Sequence, residues 1–69
     1  MKLRNRLKEL RAREGLNQTE LAKRIGASRQ TVSLMERGDY APSVILAIKI
    51  AQVFQERVED IFILEGDGE

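Results

Sequence analysis

The side chains best suited to chemistry in this chain lie close together in one short segment, residues 17–38. Within it, Val32 and Met35 are spaced to face the inside of a predicted helix. The outward positions are rich in hydrogen-bond donors and hold no carboxylate: Arg29, Gln30, Ser33 and Arg37. Arginine can donate two hydrogen bonds to guanine, glutamine can bond adenine bidentately, and both can bond phosphate. This face therefore favours contact with a nucleic acid.

Two short helices must hold that face in position. Asn17 followed by Glu20 is a capping box, which predicts the start of a helix with inward residues Leu21, Ala22 and Ile25. Gly26 is placed to end this helix in the left-handed conformation, and Ser28 can cap the next one, which Gly38 ends. So short a connection forces the two helices to cross at a large angle, which is helix-turn-helix geometry.

These motifs resemble the repressor/Cro-type (xenobiotic-response-element-like) helix-turn-helix regulators of phages and prokaryotes, from about Leu7 to Phe62. NQTELA opens one helix, IGASRQTVS crosses to the next, ERG closes it, and YAPS precedes a fourth helix. The resemblance implies an all-α, lambda-repressor-like DNA-binding domain of four to five helices, to which a short C-terminal β-strand can be added. It also implies a homodimeric transcriptional regulator, with a repressor favoured, that binds palindromic double-stranded DNA.

The resemblance assigns base contacts to the third helix, whose N-terminal residues enter the major groove in this class. Arg29 suits guanine, Gln30 suits adenine or a phosphate, and Ser33 lies one turn further along. For Arg29, a phosphate contact or a solvated side chain is the alternative. Leu34 departs from the family pattern, in which a long polar residue is common. It can touch a thymine methyl or fold inward against the second helix.

Phosphate contacts are predicted around this helix. Gln18 opens the second helix, where free amides and the helix dipole attract an anion, and in relatives this glutamine grips the DNA backbone. The further candidates are Thr31, Arg37, Tyr40 and Ser43. The resemblance also implies that Arg11 and Glu36 pair with each other and join helices one and three. Lys23 and Arg24 are predicted to be solvated.

Composition excludes several other classes of function. The 69 residues allow one domain, residues 1–69, and include no cysteine and no histidine. Thiol chemistry is therefore excluded, and the commonest general base and metal ligand are missing. Glu59 and Asp60 are adjacent, so a helix would point them to different faces instead of pairing them as acid and base. We predict no enzyme activity, no metal and no cofactor.

Charge is divided unevenly along the chain. Residues 1–38 carry ten basic and four acidic side chains, a net charge of +6, whereas residues 39–69 carry two basic and seven acidic ones, a net charge of −5. Such a dipolar molecule would turn its basic half toward a polyanion. No apolar run has membrane-spanning length and no signal peptide is recognisable, so the sequence predicts a cytoplasmic protein without a membrane partner.

Two further helices are predicted to support the motif. Leu3, Leu7 and Leu10 recur at helical spacing, which indicates a first helix from about Arg4 to Glu14. Pro42 keeps residues 39–42 in a loop, and Ser43 caps a fourth helix. The apolar positions of that helix cover so broad a face that it is predicted to be central: Val44, Leu46, Ala47, Ile50, Ala51 and Phe54.

The apolar run Ile61–Leu64 needs burial that a small monomer does not easily provide. Residues 58–62 indicate a short helix, and the run either continues it or becomes a strand. Ile61 and Phe62 can also complete the monomer core. We predict a dimerisation tail over residues 58–65, with an interface of Phe62, Ile63 and Leu64. A strand there would pair with residues 1–3 or with its own twin; residues 66–69 are predicted to be frayed.

A second function from another class stays open. An antitoxin or adaptor of the same fold would use the acidic half and the apolar tail to hold a partner protein. The sequence lacks an added segment that would wrap around a toxin, which favours the regulator. In either case the expected partners are double-stranded DNA and a second copy of the chain.

Overall fold

The computed structural model describes residues 2–66, which form a bundle of five helices closed by a two-stranded sheet. The predicted frayed end lies mostly outside the described residues. In chain order the elements are β1 (Lys2–Asn5), α1 (Leu7–Glu14), α2 (Gln18–Ile25), α3 (Arg29–Glu36), α4 (Val44–Phe54), α5 (Val58–Ile61) and β2 (Phe62–Glu65). None of the helices within residues 2–66 is long and apolar enough to cross a bilayer.

Side-chain caps start α2 and α3 where the sequence predicted. The Asn17 side chain accepts a hydrogen bond from the Glu20 amide at 2.8 Å, and the Glu20 carboxylate accepts one from the Asn17 amide at 2.9 Å. Gly26 ends α2 with a left-handed φ of 69°. Ser28 then accepts from the Thr31 amide and starts α3. The capping box, the glycine stop and the second cap are thus confirmed.

The first helix begins later than the leucine spacing predicted. Its predicted start, Arg4, lies in β1, and α1 begins only at Leu7. The Asn5 side-chain oxygen accepts a hydrogen bond from the Leu7 amide at 3.1 Å, so Asn5 supports the helix start. Leu3 is a strand residue whose spacing to Leu7 merely matches the helical period. The predicted end is confirmed, because Gly15 follows the last turn with a left-handed φ of 69°.

The apolar run near the C-terminus becomes a strand after Ile61, which is fully buried. β2 pairs with β1 in antiparallel register, with Leu3 opposite Leu64 and Asn5 opposite Phe62. The strand alternative and its pairing with the chain's own N-terminus are therefore confirmed, although the pairing covers residues 2–5 and Met1 lies outside the described residues. The sheet ties the two ends of the chain together beside the bundle.

The core is built around α4 and the inward faces of α1–α3. Ile50 and Phe54 of α4 are buried together with Leu16 of the α1–α2 turn and with residues from every other helix: Leu7, Leu10, Leu21, Ala22, Ile25, Val32, Met35 and Ile61. The predicted apolar face of α4 is nevertheless too broad. Val44 was predicted to lie on the covered face, but it lies in the first turn of α4, at the edge of an open groove, and is mostly exposed. The face that α4 buries is centred on Ala47, Ile50 and Phe54.

Candidate nucleic-acid interface

The outer face of α3 carries the polar residues that the sequence predicted. Arg29, Gln30 and Arg37 are exposed, and Ser33 is half-buried. On the opposite side, Val32 and Met35 are buried and hold the helix to the core. Within residues 2–66, neither Arg29 nor Gln30 has a side-chain hydrogen bond or an ion pair. Their donors are therefore available to an outside partner.

Leu34 is half-buried on the flank of α3. It is not among the apolar residues that pack against the core cluster, and it does not point fully into solvent either. Both readings of this residue, a thymine-methyl contact and inward packing, start from such a position. The thymine contact therefore stays a prediction.

The turn between α2 and α3 fixes how the outer face of α3 is presented. Besides capping the helix, the Ser28 hydroxyl lies 3.0 Å from the Thr31 hydroxyl. Thr31 is half-buried, so this predicted phosphate contact must reach DNA from a side chain already engaged with the cap. At Gly26, a methyl group would come within 3.7 Å of Lys49 Nζ and the backbone would be strained at its positive φ. The glycine stop at Gly26 and the Ser28 cap thus set the angle at which α2 and α3 cross.

A polar cluster joins the start of α2 to the end of α3. The Arg11 guanidinium of α1 donates to both carboxylate oxygens of Glu36, one of them at 3.0 Å. The amide of Gln18 donates to the same carboxylate at 3.1 Å. The Arg11–Glu36 pair that the resemblance implied is therefore present. The side chain of Gln18, which we predicted to grip a phosphate, is held in place by Glu36.

The electrostatics of Glu36 follow from this cluster. Burial by itself would raise the pKa of Glu36, but the hydrogen bonds from Arg11 and Gln18, together with the positive charges of Arg11 and Lys8, outweigh it and hold the pKa below its ordinary value. The carboxylate is consequently charged at neutral pH and accepts every donor directed at it. Arg11 also donates to the carbonyl of Leu16 at 3.1 Å, which ties the α1–α2 turn to the same cluster.

The remaining phosphate candidates lie at the end of α3 and in the loop beyond it. Arg37 is exposed and its guanidinium lies 3.3 Å from the Asp39 carboxylate, also exposed, so a phosphate would compete with that carboxylate. Tyr40 is exposed in the loop. Ser43 caps α4 by accepting from the Leu46 amide at 3.1 Å, which leaves its hydroxyl hydrogen free to donate. Lys23 and Arg24 are exposed on α2.

One positioning residue was missed by sequence reasoning. The side-chain amide of Asn5 donates to the carbonyl of Met35 at 2.8 Å, so β1 is tied directly to the last turn of α3. Asparagine is a common residue at helix starts, but the predicted α1 already included Asn5, so this signal was missed. Nothing along the chain indicated that the Asn5 side chain would reach Met35.

The predicted dimerisation residues divide between the two faces of the sheet. Phe62 and Leu64 are two positions apart in β2 and share one face, whereas Ile63 points to the other. Phe62 packs against the core, while Leu64 is largely exposed. A single flat contact can therefore include Phe62 and Leu64 but not Ile63.

Comparison with known proteins agrees with this geometry. The helix-turn-helix family model matches residues 7–61. The uncharacterized HTH-type transcriptional regulator YgzD of Bacillus subtilis is 49% identical over 66 residues, which are 96% of this chain and 100% of that regulator. The chain belongs to the helix-turn-helix family of transcriptional regulators. The family is a DNA-binding class and not an enzyme class, so the prediction of a non-enzymatic regulator is confirmed.

Archaeal relatives and solved structures extend the likeness of this helix-turn-helix regulator. The uncharacterized HTH-type regulator MJ0272 of Methanocaldococcus jannaschii is 51% identical over 65 residues, 94% of this chain and 98% of its own. The restriction-modification controller protein C.AhdI from Aeromonas hydrophila superposes with a TM-score of 0.73 at 34% identity, over 80% of this chain and 83% of that one. A Bacteroides fragilis protein at 23% identity has the same fold, with a TM-score of 0.76 over 87% of this chain and 97% of that one.

Proposed function

We propose that this regulator binds a specific palindromic operator as a homodimer and represses transcription from it, in the cytoplasm where that DNA lies. α3 enters the major groove and reads base edges with Arg29, Gln30, Ser33 and Leu34. Gln18, Thr31, Arg37, Tyr40 and Ser43 hold phosphates on either side. No sensing element is part of the proposal, so occupancy of the operator follows the concentration of the protein and its dimerisation.

One observation carries the proposal. Arg29 and Gln30, the two residues best suited to bidentate base contacts, stand exposed at the start of α3 without a protein partner in residues 2–66. Arg11, by contrast, is engaged with the Glu36 carboxylate and serves the fold. Donors at the groove-entering end of the recognition helix are the arrangement that direct readout requires.

The test is a selection of duplexes from a random pool by the purified protein at about 150 mM salt, where non-specific binding is weak. We expect an inverted repeat whose half-site centres lie about 34 Å apart, one turn of B-DNA. Repression is then measured from a reporter promoter that carries this repeat. A folded protein that enriches no sequence would contradict the proposal and favour a protein-binding role.

A further inference from the structure

Residues 2–66 leave five large apolar side chains exposed. They are Tyr40 (45% exposed), Val44 (74%), Ile45 (70%), Ile48 (46%) and Leu64 (63%). Three of the five, Val44, Ile45 and Ile48, lie in the first turns of α4. Ile48 follows Val44 by four residues and Ile45 by three, so it adjoins both and the three form one stripe. Isolated exposed apolar residues are ordinary, but a contiguous patch of branched side chains on a small monomer marks an interaction surface.

A groove runs directly beside this stripe. It has a volume of about 180 Å³ and lies between the start of α4, α5 and one face of the sheet, lined mainly by Leu3, Pro42, Val44, Ala47, Val58 and Phe62. An apolar cavity of ~150 Å³ accommodates a benzene ring. The groove can therefore receive one branched aliphatic side chain.

The sheet extends the same surface. Leu3 and Leu64 are cross-strand partners and so share a face. Because Leu3 lines the groove, Leu64 continues the groove face across β2. The charged pair of the sheet, Arg4 and Glu65, closed at 2.9 Å, belongs to the opposite face together with Ile63. The α4–sheet surface, defined by Val44, Ile45, Ile48, Val58, Phe62 and Leu64, is therefore built from apolar side chains. The exposed Lys49 beside it on α4 extends its amine toward Gly26.

These features select a second copy of the chain as the occupant. A two-fold contact brings the same patch of both copies together, so a patch of apolar side chains is self-complementary, whereas a patch of a single charge sign would repel its twin. The exposed side chains of Ile45 and Ile48 lie on the same turns of α4 as Val44, which lines the recess. Two copies related by a two-fold axis can each insert one aliphatic side chain into the groove of the other.

We propose that the α4–sheet surface is the self-association surface of this protein. One consequence of this position rests on the proposed function. Because α4 follows α3 after the short loop of residues 37–43, a second copy bound at the α4–sheet surface lies near the DNA-reading helix. Pairing of two β2 strands along their free edges is the competing geometry. It would involve neither Ile45 nor the groove.

The experiment is sedimentation equilibrium of the DNA-free protein and of the double variant Val44→Asp/Ile45→Asp. Both residues are exposed and open α4, where the helix dipole favours a carboxylate, so the monomer fold is kept. The matched control is Ala12→Asp, an apolar-to-acid change at an exposed position of α1. Circular dichroism of all three proteins verifies that each is folded.

We expect wild type and Ala12→Asp to be dimers and the double variant to be a monomer, with a dimer dissociation constant raised at least ~100-fold. Equal dimerisation of all three proteins would overturn the inference and favour edge pairing of β2. A wild-type protein that is still a monomer at ~100 µM would overturn it as well.

The readout separates this inference from the proposed function. A wild-type dimer that the double variant abolishes supports the surface even if no DNA sequence is enriched. An enriched palindrome together with an unaffected double-variant dimer supports the regulator and rejects the surface.

Discussion

Arg29 is a proposed base contact and Gln18 a proposed phosphate contact, so their alanine variants should weaken DNA binding in different ways. Arg29→Ala removes a bidentate donor, so binding should weaken by ~1–3 kcal/mol at the cognate operator and specificity should relax at one base pair per half-site. Gln18→Ala removes a neutral phosphate donor, so it should weaken all sequences about equally. Because the glutamine carries no charge, the dependence of affinity on salt should not change.

Titration of a randomised operator library against each variant, at two salt concentrations, checks this pair. Thr19→Ala, at the exposed neighbour of Gln18, is the control and should bind as wild type does. If Arg29→Ala weakened all sequences to the same extent, Arg29 would be a phosphate contact and the groove assignment would be wrong.

Glu36 should make part of the stability depend on pH. Its folded-state pKa is held below the ordinary value of glutamate, about 4.3. The stabilisation of the folded state by ionised Glu36 is therefore fully present above that value. It is lost as the pH falls through the lower folded-state pKa. Glu36→Gln should lose up to ~3–5 kcal/mol of unfolding free energy at neutral pH, and its difference from wild type should shrink toward acid pH.

Urea unfolding at a series of pH values, with the exposed carboxylate change Glu59→Gln as control, measures that difference. A gap between wild type and Glu36→Gln that stays constant with pH would contradict the origin assigned to it. A loss of DNA binding in Glu36→Gln reports first on folding and on the position of Gln18. It does not make Glu36 a DNA contact.

The residue that ends α4 has an unfavourable backbone conformation. Gln55 adopts a left-handed φ of 53°, the only non-glycine residue within residues 2–66 with a positive φ, and such a conformation costs a non-glycine residue about 1–2 kcal/mol. Gln55→Gly should therefore stabilise the protein by up to ~1 kcal/mol, which raises the melting temperature by about 4–8 °C.

Thermal unfolding followed by circular dichroism measures this change. Gln52→Gly, one turn earlier at an exposed interior position of α4, is the matched control and should destabilise by ~1 kcal/mol. If the Gln55→Gly protein melted at or below the wild-type temperature, contacts of the Gln55 side chain would have to offset the cost of its left-handed backbone.

A helix or strand could be predicted from the sequence where residues close to it in the chain determine its bounds. The boundaries of α2 and α3 were predictable because Asn17, Gly26 and Ser28 act within one or two turns of the chain. β1 was not, because it is a strand only through a partner sixty residues away, and the spacing of Leu3 to Leu7 imitates a helix. The exposure of Val44 was missed for a related reason, since hydrophobicity alone does not state which neighbour covers it.

The same distinction between local and long-range causes applies to the candidate site. Outward-facing Arg29 and Gln30 follow from helical periodicity within α3, and the Arg11–Glu36 pair from the family resemblance. The hydrogen bond of Gln18 to Glu36 and that of Asn5 to Met35 each join elements that are distant in sequence. No pattern along the chain specifies which donor meets which acceptor across such a distance.

The uneven charge distribution acts on the molecule as a whole. Glu59 of α5 is an exposed carboxylate of the acidic half, outside the DNA-reading helices. Glu59→Gln should leave operator affinity unchanged at ~150 mM salt, where the Debye length is ~8 Å, and should speed association at ~10 mM, where it is ~30 Å. Stopped-flow association rates at the two salt concentrations test this, and a change at the higher concentration would imply a direct contact.

The pairing of β1 with β2 also has a consequence for synthesis of the protein. β1 precedes its partner strand, Phe62–Glu65, by all five helices, so the sheet cannot close until β2 has been made. Asn5, which anchors the last turn of α3 through Met35, cannot be fixed by the sheet until then. The Asn5 anchor of α3 therefore gains the support of the sheet only once β2 has been made, and a product that stops before β2 would carry the reading residues with an anchor that no sheet holds.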